Sequence, residues 1–511
     1  IAGEARVPFV MTDLSSIPLQ ERDAQARRLA QTEAAHPFDL RVAPLLRAQL
    51  LQLDTHDHWL LLTLHHIAGD GWSMAILQRE IAALYHQHKT NMPVALAALP
   101  LQYADFAAWQ CKLPQSPQWV RQLDYWRNRL AGAPTLLALP TDHARPAAQS
   151  YRGARMRFAL PQELAGQLHA LGRDHGATLF MTLLSVFGVL LSRYSAQDDI
   201  CIGTPVANRR HAEFEGVIGC FVNTLVLRLT LQGNPALTDL LRQVKETSLD
   251  AYAHQDLPFE RLVDVLQPER DLSPAPLFQV MFALENNAAH TAMLDGLESQ
   301  PLDIDLPIAK FDLTLTMRAE ADRLEGMFEY NTDLFERATM ERMIGHFETL
   351  LAAAAGKPDT PVAALTMLSA QERRFLLEEL NRSQHDFPLE RSYAMLFAEQ
   401  VARHPDRIAA VCMDESLTYQ ELDRRSTRIA RALVAAGAGP DILVGTMGER
   451  SLCFLTMMIA IFKAGAAYVP LDIRHPVQRL QDIVSRGWIG LSLVSESSLS
   501  QRDALLSGLV P

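Results

Sequence analysis

Two adjacent histidines open the run His65-His66-Ile-Ala-Gly-Asp70-Gly71-Trp72-Ser73. Imidazole changes charge near neutral pH, so a histidine that reaches open space can carry a proton in a transfer reaction. Asp70-Gly71 is a turn dipeptide, in which the glycine permits a positive φ or the close approach of a second backbone. Either Asp70 or Ser73 would cap a helix beginning here. The positive end of that helix would disfavour charged imidazole, which suits a base that must be neutral when it acts. Metal binding is the competing chemistry, since Asp54, His56, Asp57 and His58 lie nearby. That cluster separates two apolar strands, Leu46–Leu53 and Trp59–Leu64, and reads as a solvated hairpin turn. Neighbouring histidines also lack the three- or four-residue helical spacing that aims two rings at one ion. No metal ligand set is assigned.

The elements that position these residues follow from periodicity. Trp59-Leu-Leu-Leu-Thr-Leu64 is an apolar run of strand length. Met74, Leu77, Ile81, Leu84 and Tyr85 repeat at helical spacing. The histidines therefore sit where a strand gives way to a helix. Successive strand residues face opposite ways, so one ring would point into the fold and the other toward open space. Parity alone does not say which, because apolar residues line both strand faces.

His65-His66-x-x-x-Asp70-Gly71 resembles the signature of condensation domains in nonribosomal peptide synthetases, relatives of chloramphenicol acetyltransferase. Further segments resemble the same family in the same order. They are Tyr151-Arg-Gly153, Ile218-Gly-Cys-Phe-Val-Asn223-Thr-Leu-Val-Leu-Arg228, His254-Gln-Asp-Leu-Pro-Phe-Glu260, Arg270-Asp271 with Pro276–Phe282, and Lys310-Phe-Asp-Leu313. The resemblance covers roughly residues 1–355. It implies an α/β fold of two acetyltransferase-like lobes in a V-shaped pseudo-dimer, followed by a partial α/β adenylate-forming domain. It implies amide formation between a donor acyl or peptidyl thioester and an acceptor aminoacyl thioester. Both substrates ride on phosphopantetheine arms of partner carrier domains, upstream and downstream in the same synthetase. His66 would face the channel, either taking the proton from the attacking ammonium or hydrogen-bonding the amine into line. His65 would be the inward partner. Asp70 would pair with an arginine and shape the loop, with Arg47 as one candidate and a residue upstream of position 1 as another. Gly71 would offer its N–H near the developing oxyanion. Trp72, Ser73 and Asn223 would lie beside the channel.

Other enzymes share the histidine signature. An adenylation start downstream, together with Asp70-Gly-Trp-Ser73, favours condensation over epimerisation. Heterocyclisation domains carry aspartates in place of the paired histidines. A free-standing acyltransferase leaves the second domain unexplained. The rival of a different class is a non-catalytic platform that recruits carriers.

Composition bounds these readings. The 511 residues carry 48% hydrophobic and 21% charged residues, ordinary for globular protein, and suggest about three domains. A net charge of −12 without a basic run gives no nucleic-acid signal. Five cysteines without paired spacing fit a reducing cytoplasm. The longest apolar runs fall short of the ~20 residues that span a bilayer, so no membrane partner is expected.

Along the chain, a first lobe is expected over residues 1–140, closing with the helix around Tyr125-Trp126. A second lobe follows over 141–355 and a linker over 356–380. The histidine pair arrives early against the family pattern, which implies a chain that starts within the first lobe. Leu417-Thr-Tyr-Gln-Glu-Leu422 and Phe462-Lys-Ala-Gly-Ala-Ala-Tyr-Val-Pro-Leu-Asp472 resemble the first two core motifs of adenylation domains, placing the start of one at 381–511. ATP and Mg would serve only the complete adenylation domain, because no phosphate-cradling loop occurs in residues 376–511. These 511 residues alone are therefore expected to give no amino-acid-dependent pyrophosphate exchange; measurable exchange would refute that.

Overall fold

A computed structural model describes residues 6–266, 275–285, 294–304, 306–320 and 323–506. Two compact units divide the chain, Ile1–Asn381 and Arg382–Pro511.

In the first unit, β1 (Phe9–Asp13), β2 (Leu46–Gln52) and β3 (His58–Leu64) form a three-stranded sheet in the order β1-β2-β3. β1 and β2 run parallel, which requires a crossover connection, and here the crossover contains α1 (Leu19–Ala35). β2 and β3 are antiparallel, from Leu46 opposite Leu64 to Gln52 opposite His58. The polar cluster Asp54–Asp57 is the hairpin turn, closed by Leu53 and Asp54 N–H groups donating to Asp57 O. Leu14, Ala26, Ala30, Leu51, Leu53 and Leu61 make the small core between helix and sheet. After β3 come α2 (Gly71–Thr90), α3 (Tyr103–Lys112) and α4 (Pro117–Leu130).

A larger layer is built on a mixed six-stranded sheet. Its strands are β4 (Gly153–Leu160), β5 (Asp199–Val206), β6 (Asn223–Thr230), β7 (Val280–Glu285), β8 (Leu313–Glu320) and β9 (Arg323–Asn331), in the order β4-β9-β8-β7-β5-β6. The helices of this part are α5 (Gln162–Asp174), α6 (Leu179–Ser195), α7 (Leu237–Ala253), α8 (Phe259–Leu266) and α9 (Arg337–Gly356). α6 is apolar nearly all round because it is buried nearly all round, from Met181 to Leu191. Its Phe187 packs against Phe282 and Phe328 of the sheet and Phe347 of α9, with ring centroids about 6 Å apart. No single helix among the described residues is long and apolar enough to cross a membrane.

Two observations concern the segments expected to close the first lobe and to link the domains. Trp126, Leu130 and Leu137 belong to the core of the six-stranded layer, so α4 packs with the second lobe rather than closing the first. Aromatic periodicity marks a buried helix face without saying which core receives it. The expected linker 356–380 is also attached. Val362 and Leu365 are buried in the same core. His346 Nε2 meets Glu372 Oε2 at 2.8 Å, and Tyr194 Oη meets His346 Nδ1 at 2.7 Å.

The second unit holds a two-stranded sheet of β10 (Ile408–Cys412) and β11 (Glu415–Thr418). It also holds a parallel sheet of β12 (Leu443–Met447), β13 (Ala467–Leu471) and β14 (Leu491–Val494), ordered β13-β12-β14. The expected adenylation motifs fall on the Thr418-capped helix Tyr419–Ala435 and on a helix-turn-strand with Gly465 at φ +75°. Lys463 Nζ is held by Asp423 Oδ1, Ser426 Oγ and Thr427 Oγ1 at 2.7–2.9 Å.

Phe328 is fully buried beside Phe158, Phe187 and Phe347. Phe328→Ala is expected to remove about 3–5 kcal/mol from the first unit, read as a lower urea midpoint.

Candidate active site

β3 ends at Leu64 and α2 begins at Gly71, so the junction lies where periodicity places it. Both histidines stand past the strand, in a turn closed by Ala68 N–H to His65 O and Gly69 N–H to His66 O. Strand parity therefore does not separate them; their contacts do. His65 is half-buried, its ring edge against Phe38 at 5.8 Å, and its Nδ1 accepts the Ile67 N–H at 3.2 Å. His66 is exposed, with Nδ1 lying 3.8 Å from Cys220 Sγ.

Asp70 is the N-cap of α2 and its carboxylate is fully engaged. Oδ1 accepts from Ser73 N–H at 2.8 Å, from Ser73 Oγ at 2.7 Å and from Arg209 Nη2 at 3.1 Å. Oδ2 accepts from Phe221 N–H at 3.1 Å. The side chains of Asp70 and Arg209 are only 4% and 1% exposed, so this is a buried ion pair. Burial by itself would raise the Asp70 carboxyl; the Ser73 hydrogen bonds, the Arg209 charge and the Phe221 N–H outweigh it, and the group sits below the ordinary carboxylate range. The expected partner Arg47 is elsewhere, on Glu33 Oε1 and the carbonyls of Glu33 and His36. The correction has a structural cause. Arg209 arrives on the long loop 207–222 between β5 and β6, which crosses from the large sheet to the start of α2.

The rest of the motif anchors the same loop. Trp72 Nε1 donates to Glu215 O at 2.9 Å. Ser73 is buried, with its hydroxyl 2.9 Å from Gly219 O and accepting the Gly219 N–H at 3.1 Å. Phe106, Phe214, Val217 and Phe221 form an aromatic core beneath the loop. Trp72 and Ser73, expected beside the channel, are committed to the loop at Glu215 and Gly219.

The glycines also trade roles. Gly71 is exposed, lacks a positive φ, and a Cβ there would meet nothing within 4 Å. The expectation of a conformational need at Gly71 is not met; the space beside it is open. Gly69 is the constrained position, where a Cβ would lie 2.5 Å from Leu64 Cδ2 and 3.1 Å from Ser73 Cβ.

Asn223 is buried and braces the second lobe. Its Nδ2 donates to Gln255 O and Leu257 O at 2.8 Å, and its Oδ1 accepts Phe259 N–H at 3.0 Å. The segment 254–260 is gripped from the other side by α4. Trp126 Nε1 donates to His254 O, and Gln118 and Gln122 donate to Asp256 Oδ2, which also faces Arg210 at 3.1 Å. In Lys310–Leu313, Asp312 is paired with Arg145. Tyr151–Gly153 runs against Ile308 and Ala309, where a Cβ on Gly153 would meet Ala309 N at 2.5 Å. Arg270-Asp271 lies outside the described residues. Among the described residues no group of His, Cys, Asp and Glu is arranged to hold a metal ion. A cleft of about 720 Å³ between α1 and the start of β4 is lined by Gly153 of the Tyr151–Gly153 segment and by none of His65–Ser73 or Asn223.

Arg209, Arg210, Cys220, Tyr103, Asp256 and Gly69 were not singled out by sequence reasoning. Gly219-Cys220-Phe221 was visible as part of a motif, but its register on Ser73 and Asp70 was not.

A family model described as Condensation domain matches residues 1–377, and one described as AMP-binding enzyme matches residues 397–506. Malpinin synthetase of Mortierella alpina is 45% identical over 464 residues, covering 91% of this chain and 6% of its own length. Phosphinothricin tripeptide synthetase PhsC of Streptomyces viridochromogenes is 41% identical over 506 residues, covering 99% of this chain and 46% of its own. The chain thus spans under half the length of these relatives. Among solved structures, the four-domain nonribosomal peptide synthetase holo-AB3403, bound to AMP and glycine, aligns with a TM-score of 0.80 and 26% identity, covering 97% of this chain and 38% of that one. The X-domain from teicoplanin biosynthesis aligns at 0.66 and 28%, covering 72% and 83%.

Replacing Asp70 leaves the Arg209 guanidinium buried without its countercharge. Asp70→Asn is expected to cost about 3 kcal/mol at neutral pH. Because the native carboxyl is held low, the pair's contribution is complete above about pH 4 and fades as pH falls through that lowered value. The stability gap between wild type and variant should therefore narrow in acid, measured by denaturant midpoints at neutral and acid pH.

Proposed function

The chain belongs to the condensation-domain family of nonribosomal peptide synthetases, and on that premise we propose that it joins a donor acyl or peptidyl thioester to an acceptor aminoacyl thioester. The family carries an amide-forming role. The finer assignment to carrier-bound substrates, and to acyl transfer at this junction, is our own reading. One observation carries it: His66 is an exposed imidazole on a turn that leads into Asp70, Trp72 and Ser73, whose side chains are committed to holding the loop 207–222 against it.

In the reaction, the acceptor α-amine attacks the donor carbonyl, a C–N bond forms, and the C–S bond breaks to release the donor's phosphopantetheine thiolate. The amine loses one proton, which the departing sulfur can take up. A thioester is already activated, so the protein's work is to align the two arms and manage that proton. His66 either accepts the proton or hydrogen-bonds the amine into line. Gly71 offers its N–H to the carbonyl oxygen as charge develops, supported by the open space beside it. Asp70, Ser73 and Trp72 act through the loop they hold, Asn223 through the segment 255–259, and His65 by seating the turn.

The phosphopantetheine arms belong to carrier domains of the same synthetase, so they enter as parts of the substrates. ATP and Mg are assigned to a complete adenylation domain, and we propose no amino-acid activation by residues 382–511. A non-catalytic, carrier-recruiting platform is the second reading; the similar X-domain from teicoplanin biosynthesis has been solved in complex with OxyB.

Supplied with loaded donor and acceptor carriers, the chain in its synthetase is expected to give the condensed thioester, detected by mass. His66→Ala should lower the rate by about 10²–10⁴. Unchanged product formation would remove His66 from the chemistry, and no product with any substrate pair would favour the platform.

A further inference from the structure

We propose that Cys220 is a positioning residue for His66, holding the ring in the tautomer with its proton on Nε2. At rest the histidine then offers substrate a hydrogen-bond donor rather than a base. The inference deepens the reading of His66 given above and rests on it.

Residue 220 is placed with little freedom. On one side, Gly219 N–H donates to Ser73 Oγ at 3.1 Å. On the other, Phe221 N–H donates to Asp70 Oδ2 at 3.1 Å. Between them, Cys220 O accepts from Tyr103 Oη at 3.0 Å. Three consecutive residues are therefore pinned, two of them by the Asp70 and Ser73 of the histidine motif itself. Tyr103 lies so close that a Cβ on residue 219 would be 2.1 Å from its ring, which only glycine avoids. This frame delivers Sγ to 3.8 Å from His66 Nδ1, a hydrogen-bond distance for sulfur, whose radius exceeds that of oxygen. Cys220 Sγ is the hydrogen-bond partner of the His66 ring among the described residues.

The direction of that hydrogen bond follows from the chemistry of the two groups. Burial pushes the Cys220 thiol up, the Asp70 and Glu260 carboxylates add to it, and Lys310 opposes them. The sulfur thus keeps its proton at neutral pH. Unprotonated imidazole nitrogen is a good acceptor, whereas thiol sulfur is a weak one, so S–H donates to Nδ1. A neutral ring that accepts at Nδ1 carries its own proton at Nε2. Nε2 is the nitrogen left for substrate, and as N–H it can donate to the thioester oxygen or sulfur. This sets proton abstraction aside for the resting ring and moves the aligning hydrogen bond of His66 from the acceptor amine to the donor thioester. His65 also accepts at Nδ1, but from a backbone N–H, that of Ile67.

Two-bond 1H–15N correlation on the full chain labelled with 15N-histidine reads the tautomer directly, with the His66 signals identified by their loss in His66→Gln. In wild type at neutral pH, an unprotonated Nδ1 and a proton-bearing Nε2 are expected. Cys220→Ala should shift the ring toward a mixture of tautomers. It should also lower kcat for condensation by about two- to tenfold, the worth of one hydrogen bond, with KM for the carriers unchanged. A proton on Nδ1 in wild type overturns the inference, and so does an unchanged tautomer in Cys220→Ala. If His66→Ala leaves condensation intact, the catalytic reading of His66 fails, while the tautomer measurement still decides the Cys220 contact.

Discussion

The buried ion pair of Asp70 and Arg209 is the constraint on which the candidate site depends. Taking two charges out of water costs several kcal/mol each, and the pair is tolerable only when its remaining hydrogen-bonding capacity is filled. Asp70 meets that condition with Ser73 and Phe221. Arg209 meets most of it, donating to the carbonyls of Phe214, Val217 and Gly219 and lying 4.0 Å from the Phe221 ring. Its Nε has no partner among the described residues, and the aromatic face is the local compensation. Each partner is a loop organiser, Asp70 by capping α2 and Arg209 by gathering the turns of 207–222 around one guanidinium. Their pairing therefore fastens a loop of the six-stranded layer to the first turn of a helix that follows the three-stranded sheet. Cys220 and the aromatic cluster Phe106, Phe214 and Phe221 lie on or under the loop that this pair fastens.

The histidine motif consequently divides in two. Its first half leaves an imidazole free of the fold, with His66 exposed on a short turn. In its second half the side chains of Asp70, Trp72 and Ser73 are architecture, committed to the crossing loop through one carboxylate, one indole N–H and one hydroxyl. Glycine makes the division sterically feasible: Gly69 lets the turn fold back onto Leu64 and Ser73, and Gly219 lets Tyr103 lie against the loop. Other family-like segments behave as braces. Asn223 closes on 255–259, Asp256 is gripped by α4, and Asp312 is paired with Arg145. Buried polar side chains of this kind hold their positions because an unsatisfied alternative costs more than the bond returns.

Much of this was legible one residue at a time. The strand before His65 and the helix after Gly71 follow from their apolar periods, and Asp70 as a cap follows from its place ahead of the first turn. The hairpin at 53–57 was legible for the same local reason. Arg209 was not. Asp70 and Arg209 are 139 residues apart, and Arg47 was nearer in sequence. Nothing local distinguishes an arginine that returns to the site from one that serves Glu33. The helix around Tyr125-Trp126 was readable as amphipathic, yet its membership of the second core depends on which layer lies beside it. Val362 and Leu365 sit in a Pro- and Gly-punctuated stretch that reads as a connector until the groove that buries them is known.

The sequence by itself therefore determined the chemistry available and the local frame that carries it. These are an imidazole pair at a strand-to-helix junction, a capping carboxylate, and an ordered series of segments diagnostic of the condensation family. Such features depend on neighbours a few residues away, which share a helix turn or a strand with them. Tertiary structure alone decided the pairings: which arginine neutralises Asp70, which core receives Trp126, and which atom faces His66 Nδ1. Those are choices among chemically equivalent partners, and they are made by the path of a loop between distant strands, through desolvation and hydrogen-bond satisfaction that no local pattern records.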